Sequence, residues 1–212
     1  MKGKFITFEG GEGAGKSLQI KRFAEYLRAQ GKEVIVTREP GGTEVGKEIR
    51  KLLVEGSRDK FDVVAELLLF YADRRIHLEK VIKPAVLEGK YVISDRFNDS
   101  TIAYQYYGSK KFADRKILDL LYNIVAGDFG PDLTVLLDVD VEVGLNRSFK
   151  KAETMENKEL RFENEEVCFH QRLKDGYLEL AKNEPDRFVV VNANGGVDEV
   201  FDELVTKVTE KL

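Results

Sequence analysis

The sequence predicts an α/β fold in which a parallel sheet is covered by helices on both faces. Three observations carry this: short apolar runs bounded by Gly, Asp or Pro, stretches of 3.6-residue apolar period between them, and regular alternation of the two along the whole chain. The runs are KFITFEG at 4–10, EVIVTRE at 33–39, YVISD at 91–95, LTVLLDV at 133–139 and RFVVVNA at 187–193, and each reads as a strand buried on both faces. Leu18 to Ala29 reads as a helix, as does the long segment in which Val63, Leu67, Tyr71, Leu78 and Ile82 follow one face. Crossovers in such a sheet are right-handed, and ligands bind at the carboxyl ends of its strands. No repeat, low-complexity tract or Pro/Gly/Ser linker divides the 212 residues, so 1–212 is expected to be a single domain. The least regular stretch, RSFKKAETMENKELRF at 147–162, reads as a solvated loop or, more sharply, as a mobile lid.

Composition narrows the partners. Lys plus Arg number 34 against 38 Asp plus Glu, interspersed and without a basic tail, which argues against a nucleic-acid partner. One cysteine, Cys168, forms no intrachain disulfide and no Cys-rich metal spacing, so a reducing compartment is expected. The FITF run after Lys2 and Lys4 is too short for a signal-peptide core, and no window has the apolar length of a bilayer span. A cytoplasmic protein with no membrane partner is the expectation.

Chemistry begins after the first strand. Gly10, Gly11, Glu12, Gly13, Ala14, Gly15, Lys16 and Ser17 fit the phosphate-loop pattern G-x-x-x-x-G-K-S/T and lead directly into an amphipathic helix. Glycines let successive amide N–H groups turn inward, the helix amino terminus adds partial positive charge, and Lys16 reaches the terminal phosphates of a nucleoside triphosphate. Ser17 is placed to ligate Mg2+. The plainer alternative is a Gly-rich strand-to-helix turn; the flanking strand and helix favour the phosphate cradle, and with it a P-loop NTPase-type sheet. No Asn-Lys-x-Asp follows a late strand, as guanine recognition would require, and the chain is small for a mechanical ATPase. A small-molecule kinase fits, provided that a second site holds the phosphoryl acceptor.

Candidates for that second site lie at the same end of the sheet. Arg38 and Arg96, at the ends of the second and third predicted strands, can fork onto a phosphate. Asp95 can orient magnesium waters, with Asp138 as the competing carboxylate. Phe70 and Arg74, four apart on one helix face, offer a stacking surface and a polar grip for a base. Individually these residues also read as core, surface ion pairs and a helix N-cap; together, beside a phosphate loop, they favour the functional reading. His77, His170 and Cys168 are assigned packing or surface roles, since Cys168 and His170 point about 200° apart on a helix.

Across essentially the whole chain the sequence resembles the thymidylate kinases of the bacterial type. The resemblance rests on FEGGEGAGKS at 8–17, TREPGG at 37–42, LLLFYADRRIH at 67–77, ISDRFNDSTIAYQ at 93–105, GDFGPDLTVLLDV at 127–139, EVGLNR at 142–147 and LRFE at 160–163. It implies a five-stranded parallel sheet with a short lid, a homodimer, and transfer of the γ-phosphoryl group of ATP to dTMP; another nucleoside or nucleoside-monophosphate kinase, or a non-catalytic nucleotide sensor, are the alternatives. By the same resemblance Arg38 and Arg96 hold the dTMP phosphate and Phe70 stacks on thymine. Arg74, Thr101 and Gln105 meet the polar edge of the base, Glu12 meets the 3′-hydroxyl, and Tyr104 lies near the sugar. Family members without a basic residue in the phosphate loop supply it from the lid, and Glu12-Gly13-Ala14 contains none. The lid departs from the family pattern at Lys150, Lys151, TMENKE and Leu160. Because lysine lacks the planar fork, Arg147 and Arg161 become the stronger candidates for the transferring phosphoryl group, Arg147 first, with Lys151 its rival and Lys150 and Lys158 further supply.

Overall fold

The computed structural model describes residues 3–55, 60–110, 112, 114–153 and 166–211, by backbone alone at 151 and 152. Five strands, β1 Lys4–Glu9, β2 Val34–Arg38, β3 Tyr91–Asp95, β4 Leu133–Asp138 and β5 Phe188–Asn192, form one parallel sheet in the order β2-β3-β1-β4-β5. The five-stranded α/β architecture expected from the sequence is the one observed. Around it lie α1 Lys16–Ala29, α2 Glu44–Val54, α3 Val63–His77, α4 Lys83–Leu87, α5 Asn98–Thr101, α6 Lys116–Ala126, α7 Val141–Glu153, α8 Val167–Asn183 and α9 Val197–Thr209.

Period-two alternation splits the core into two layers. Phe5, Val92, Leu136 and Phe188 face the layer of α3, α6 and α8, while Ile6, Phe8, Ile93, Val135 and Val189 face α1 and α9. Burial on both faces holds for β1, β3 and β4 but not for the edge strand β2, whose residues are half-buried or exposed. The long predicted helix is also interrupted. Asp62 caps α3 through the Val64 and Ala65 amides, and α3 then passes into a π-helical turn, Leu78–Ile82, before α4. Its apolar stripe survives the change of pitch, with Leu67, Tyr71, Leu78 and Ile82 all buried.

The expected 147–162 loop requires correction at its start: 147–153 continue α7, and 154–162, with Lys158 and Arg161, lie outside the described residues. The first turn of α7 lies backbone against backbone on the phosphate loop. A side chain at Gly13, whose φ is 64°, would collide with the Gly144 carbonyl, and one at Gly144 with that of Glu12. Among the described residues no helix is long and apolar enough to cross a membrane.

Candidate active site

Because β1 is central, the loop leaving its carboxyl end is flanked by the ends of β3 and β4. Gly10, Gly13 and Gly15 take positive φ, and Gly15 precedes α1 without a side-chain cap, so amide donors at that terminus remain for an anion. Lys16 is strapped across the loop, its Nζ donating to the carbonyls of Gly10 at 3.0 Å and Gly11 at 2.9 Å. Burial and the neighbouring Arg96 push the lysine down to about 8, against the opposing pull of Glu12, Asp95 and Glu9. Ser17 is exposed, and its hydroxyl donates to Asp95 at 3.3 Å. Asp138 is turned elsewhere, paired with Lys174 at 3.1 Å. The strand order thus brings Asp95, rather than Asp138, to the phosphate-loop serine.

Arg96 joins this loop to an open cleft of about 750 Å³. Its backbone is left-handed, φ 71°, a conformation uncommon for a residue with a Cβ. Three hydrogen bonds fix it: Arg96 N to the Phe8 carbonyl at 2.9 Å, Ser94 Oγ to the Arg96 carbonyl at 2.8 Å, and Phe97 N to Glu9 Oε1 at 2.8 Å. The guanidinium donates from Nη1 to the Gly10 carbonyl, Ser100 and Tyr177, and from Nη2 to Glu12 at 3.0 Å and Tyr104 at 2.9 Å. Tyr104 donates in turn to Glu12. Burial disfavours a charged Glu12, but Arg96, Lys16 and the Tyr104 hydroxyl outweigh it and hold the carboxyl below its usual range.

The cleft wall contains Glu12, Phe70, Arg74, Arg96, Thr101, Tyr104 and Gln105, so seven of the residues singled out from the sequence meet there. Arg74 is 2% exposed and fully oriented: Nε donates to Glu39 at 2.8 Å, Nη1 to Asn98 at 3.1 Å and Nη2 to Thr101 at 2.9 Å, with its plane over the Tyr71 and Phe97 rings. Arg38 stands apart. It is exposed at the end of β2, level with Asp95, and does not line the cleft, whereas Arg50 of α2 does. Arg147 donates to the carbonyls of Ala193, Asn194 and Gly195, and so braces the turn after β5 instead of projecting from a lid. The Lys151 side chain lies outside the described residues.

Several residues of the site had no clear sequence signal. His77 is one: its Nδ1 donates to Glu39 at 2.9 Å, its Nε2 meets Thr37 at 2.7 Å, and Glu39 carries Arg74, so a histidine assigned to packing or surface belongs to the support of the cleft. Asp73 accepts from the Gly41 amide; burial, with Glu39 nearby, pushes it up to about 7. A run of Asp, Arg and His inside an apolar helix was the available hint. Tyr177 and Glu9, far apart in sequence, offered none. Cys168 is exposed and His170 buried.

Glu9 ends β1 without exposure and accepts from Phe97 N, from Ser100 at 2.5 Å and from Tyr177 at 3.2 Å. Burial and the Asp99 charge push it from 4.5 up to about 7, the bonds from Ser100 and Phe97 notwithstanding. Between those values the folded chain keeps a proton that the unfolded chain has released, so Glu9 lowers stability progressively as pH rises from about 4.5 to about 7, and the full cost stands above that window. Glu9→Gln removes this titration. Urea unfolding at a series of pH values should show the stability of wild type relative to Glu9→Gln falling across the window; a pH-independent difference would assign the slope to other groups.

Residues 8–204 match the family model for thymidylate kinase. The thymidylate kinase of Maridesulfovibrio salexigens is 48% identical over 98% of this chain and 96% of its own length. That of Caulobacter vibrioides is 46% identical over 100% and 98%. Among solved structures, the crystal structure of thymidylate kinase from Ehrlichia chaffeensis superposes with a TM-score of 0.75 at 36% identity, covering 98% of this chain and 99% of that one. A family match across nearly the whole chain, relatives of this identity and a shared architecture agree with the phosphate loop and cleft described above: the chain belongs to the thymidylate kinase family.

Proposed function

We propose that the protein transfers the γ-phosphoryl group of ATP to dTMP, giving ADP and dTDP. The observation that carries this reading is the adjacency of two sites sharing Arg96 and Glu12: a phosphate loop with its lysine in place, and a cleft with an aromatic face at Phe70 and fixed polar groups at Arg74, Thr101 and Gln105. In the reaction an oxygen of the dTMP phosphate attacks the γ-phosphorus as the bond to ADP breaks, so the chain supplies placement and charge instead of a nucleophile. Loop amides and Lys16 hold the donor phosphates. Arg96 exchanges its bonds to Glu12 and Tyr104 for the acceptor phosphate, with Arg38 and Arg50 as further cations, and Glu12 and Tyr104 are then available to the sugar.

Magnesium fits this site. One hydroxyl and one carboxylate, Ser17 and Asp95, face each other at the loop's mouth, and such sparse hard-oxygen ligation suits an ion otherwise held by phosphates and water. When bound, it supplies neutralisation of charge between the phosphates. Ser17 would hold it directly and Asp95 through water.

The expected homodimer has support from exposed Leu52 of α2, Leu68 of α3, and Leu120 and Ile124 of α6, three helices packed side by side. The exposed thiol of Cys168 fits a reducing, cytoplasmic setting.

Three measurements test these readings. With ATP and magnesium, ADP release should be fastest with dTMP, weaker with dUMP, and poor with dCMP, AMP, GMP and thymidine; loss of the thymine methyl should cost roughly 1–3 kcal/mol. Faster turnover of AMP, GMP or thymidine than of dTMP would sink the assignment. Sedimentation equilibrium should give twice the 24.1 kDa chain mass, and a monomer at micromolar concentration removes the dimer. Finally, Arg147→Met and Lys151→Met separate the two candidate cations. A group acting on the transferring phosphoryl lowers kcat by about 10³-fold or more with little change in the KM for dTMP. If Arg147 only braces the 193–195 turn, its replacement lowers the melting temperature with kcat within a few-fold of wild type, and the loss in kcat falls to Lys151.

A further inference from the structure

Glu66, Phe70 and Arg74 follow one another at i, i+4 and i+8 on α3 and so form one stripe of that helix. Phe70 and Arg74 reach the cleft, while Glu66 is 6% exposed behind it and accepts a hydrogen bond from Gln105 Nε2 at 3.1 Å. Gln105, in the π-helical turn Ile102–Gly108, is itself 3% exposed and lines the cleft. We infer that Glu66 is a positioning residue that sets pyrimidine specificity by fixing which end of the Gln105 amide faces the base.

The physical reason is an asymmetry of donors and acceptors. An ionised carboxylate only accepts, so it binds the NH2 end of an amide and repels the carbonyl end. With Nε2 committed to Glu66, Oε1 is left to the cleft; among the described residues no hydrogen bond to it is formed, and it is not among the buried polar atoms lacking a partner. The cleft lining thus includes an oriented acceptor, Gln105 Oε1, and an oriented donor, Arg74, whose guanidinium is held by Glu39, Asn98 and Thr101. The imide edge of thymine or uracil offers a ring N–H and a carbonyl, which satisfy that pair. Cytosine reverses both groups, setting its ring nitrogen lone pair against Oε1 and its amine against a guanidinium. A buried polar mismatch of this kind discriminates far more strongly than a missing methyl group. Glu66, which does not line the cleft, would thus act on substrate choice through Gln105.

This inference rests on the dTMP kinase reading, and wild-type enzyme tests that reading separately: failure to phosphorylate dTMP would remove both. Given a wild type active on dTMP, Glu66→Gln is the decisive variant. A glutamine at 66 can accept or donate, so both orientations of the Gln105 amide become accessible, and the flipped one offers cytosine a donor. Steady-state ADP release should show kcat/KM for dCMP rising about tenfold or more, while that for dTMP falls by no more than a few-fold. A merely structural role for Glu66 cannot produce a gain with dCMP. Unchanged or reduced dCMP turnover in the folded variant overturns the inference. Should Glu66→Gln lack a cooperative melt, the exchanged pair Glu66→Gln with Gln105→Glu takes its place, since it keeps one carboxylate and one amide in contact and again leaves an acceptor toward the cleft. Retention of the wild-type preference for dTMP over dCMP then supports the inference, and its loss overturns it.

Discussion

The contact of the Arg96 guanidinium with Glu12 organises the site, because it is where the phosphate loop and the cleft become one structure. Arg96 reaches the Gly10 carbonyl on one side and Tyr104 on the other, and Tyr177 brings α8 onto the same group. Removing so many polar atoms from water costs several kcal/mol per charge unless each is matched, and here the matching is dense. Its geometry depends on a left-handed residue immediately after β3, which the sheet stabilises through Phe8 and Glu9 of the neighbouring strand. The backbone thereby fixes the guanidinium at the junction of loop and cleft, where it binds Glu12 and Tyr104.

A second buried framework holds Arg74 at the wall of the cleft. Thr37, His77, Glu39 and Arg74 form a chain of hydrogen bonds from β2 to α3, and Asn98 and Thr101 of α5 complete it. Asp99, in the same short helix, is clamped by two bonds from Arg187 at the start of β5, so α5 is tied to the sheet from below. Both frameworks consist of oriented donors and acceptors with little room to relax, as a reaction governed by position and charge demands.

The phosphate loop and the five strands were legible because their signals are local. Positive φ at Gly10, Gly13 and Gly15, apolar runs bounded by Gly, Asp or Pro, and a lysine and serine at a helix start all concern consecutive residues, and backbone conformation is set over that range. Phe70, Arg74, Thr101, Tyr104 and Gln105 were found from helix periodicity and family resemblance, and they do line one cleft. Arg38 was placed from its strand end alone, yet a strand end fixes height on the sheet and leaves the direction of a long side chain open; Arg50 lines the cleft from α2.

By itself, then, the sequence determined the alternation of strand and helix, the glycine-rich loop that opens α1 and the helix face that carries Phe70 and Arg74, since each follows from residues near in the chain. Tertiary structure alone decided which carboxylate meets Ser17, for Asp95 and Asp138 end strands on opposite sides of β1 and only Asp95 reaches the hydroxyl. It also decided that Tyr177 meets Arg96 across 81 residues, that Glu66 faces Gln105 across 39, and that Arg147 turns to the loop after β5. Those partners are chosen by strand order and by how helices pack on the sheet, so no pattern of neighbouring residues encodes them.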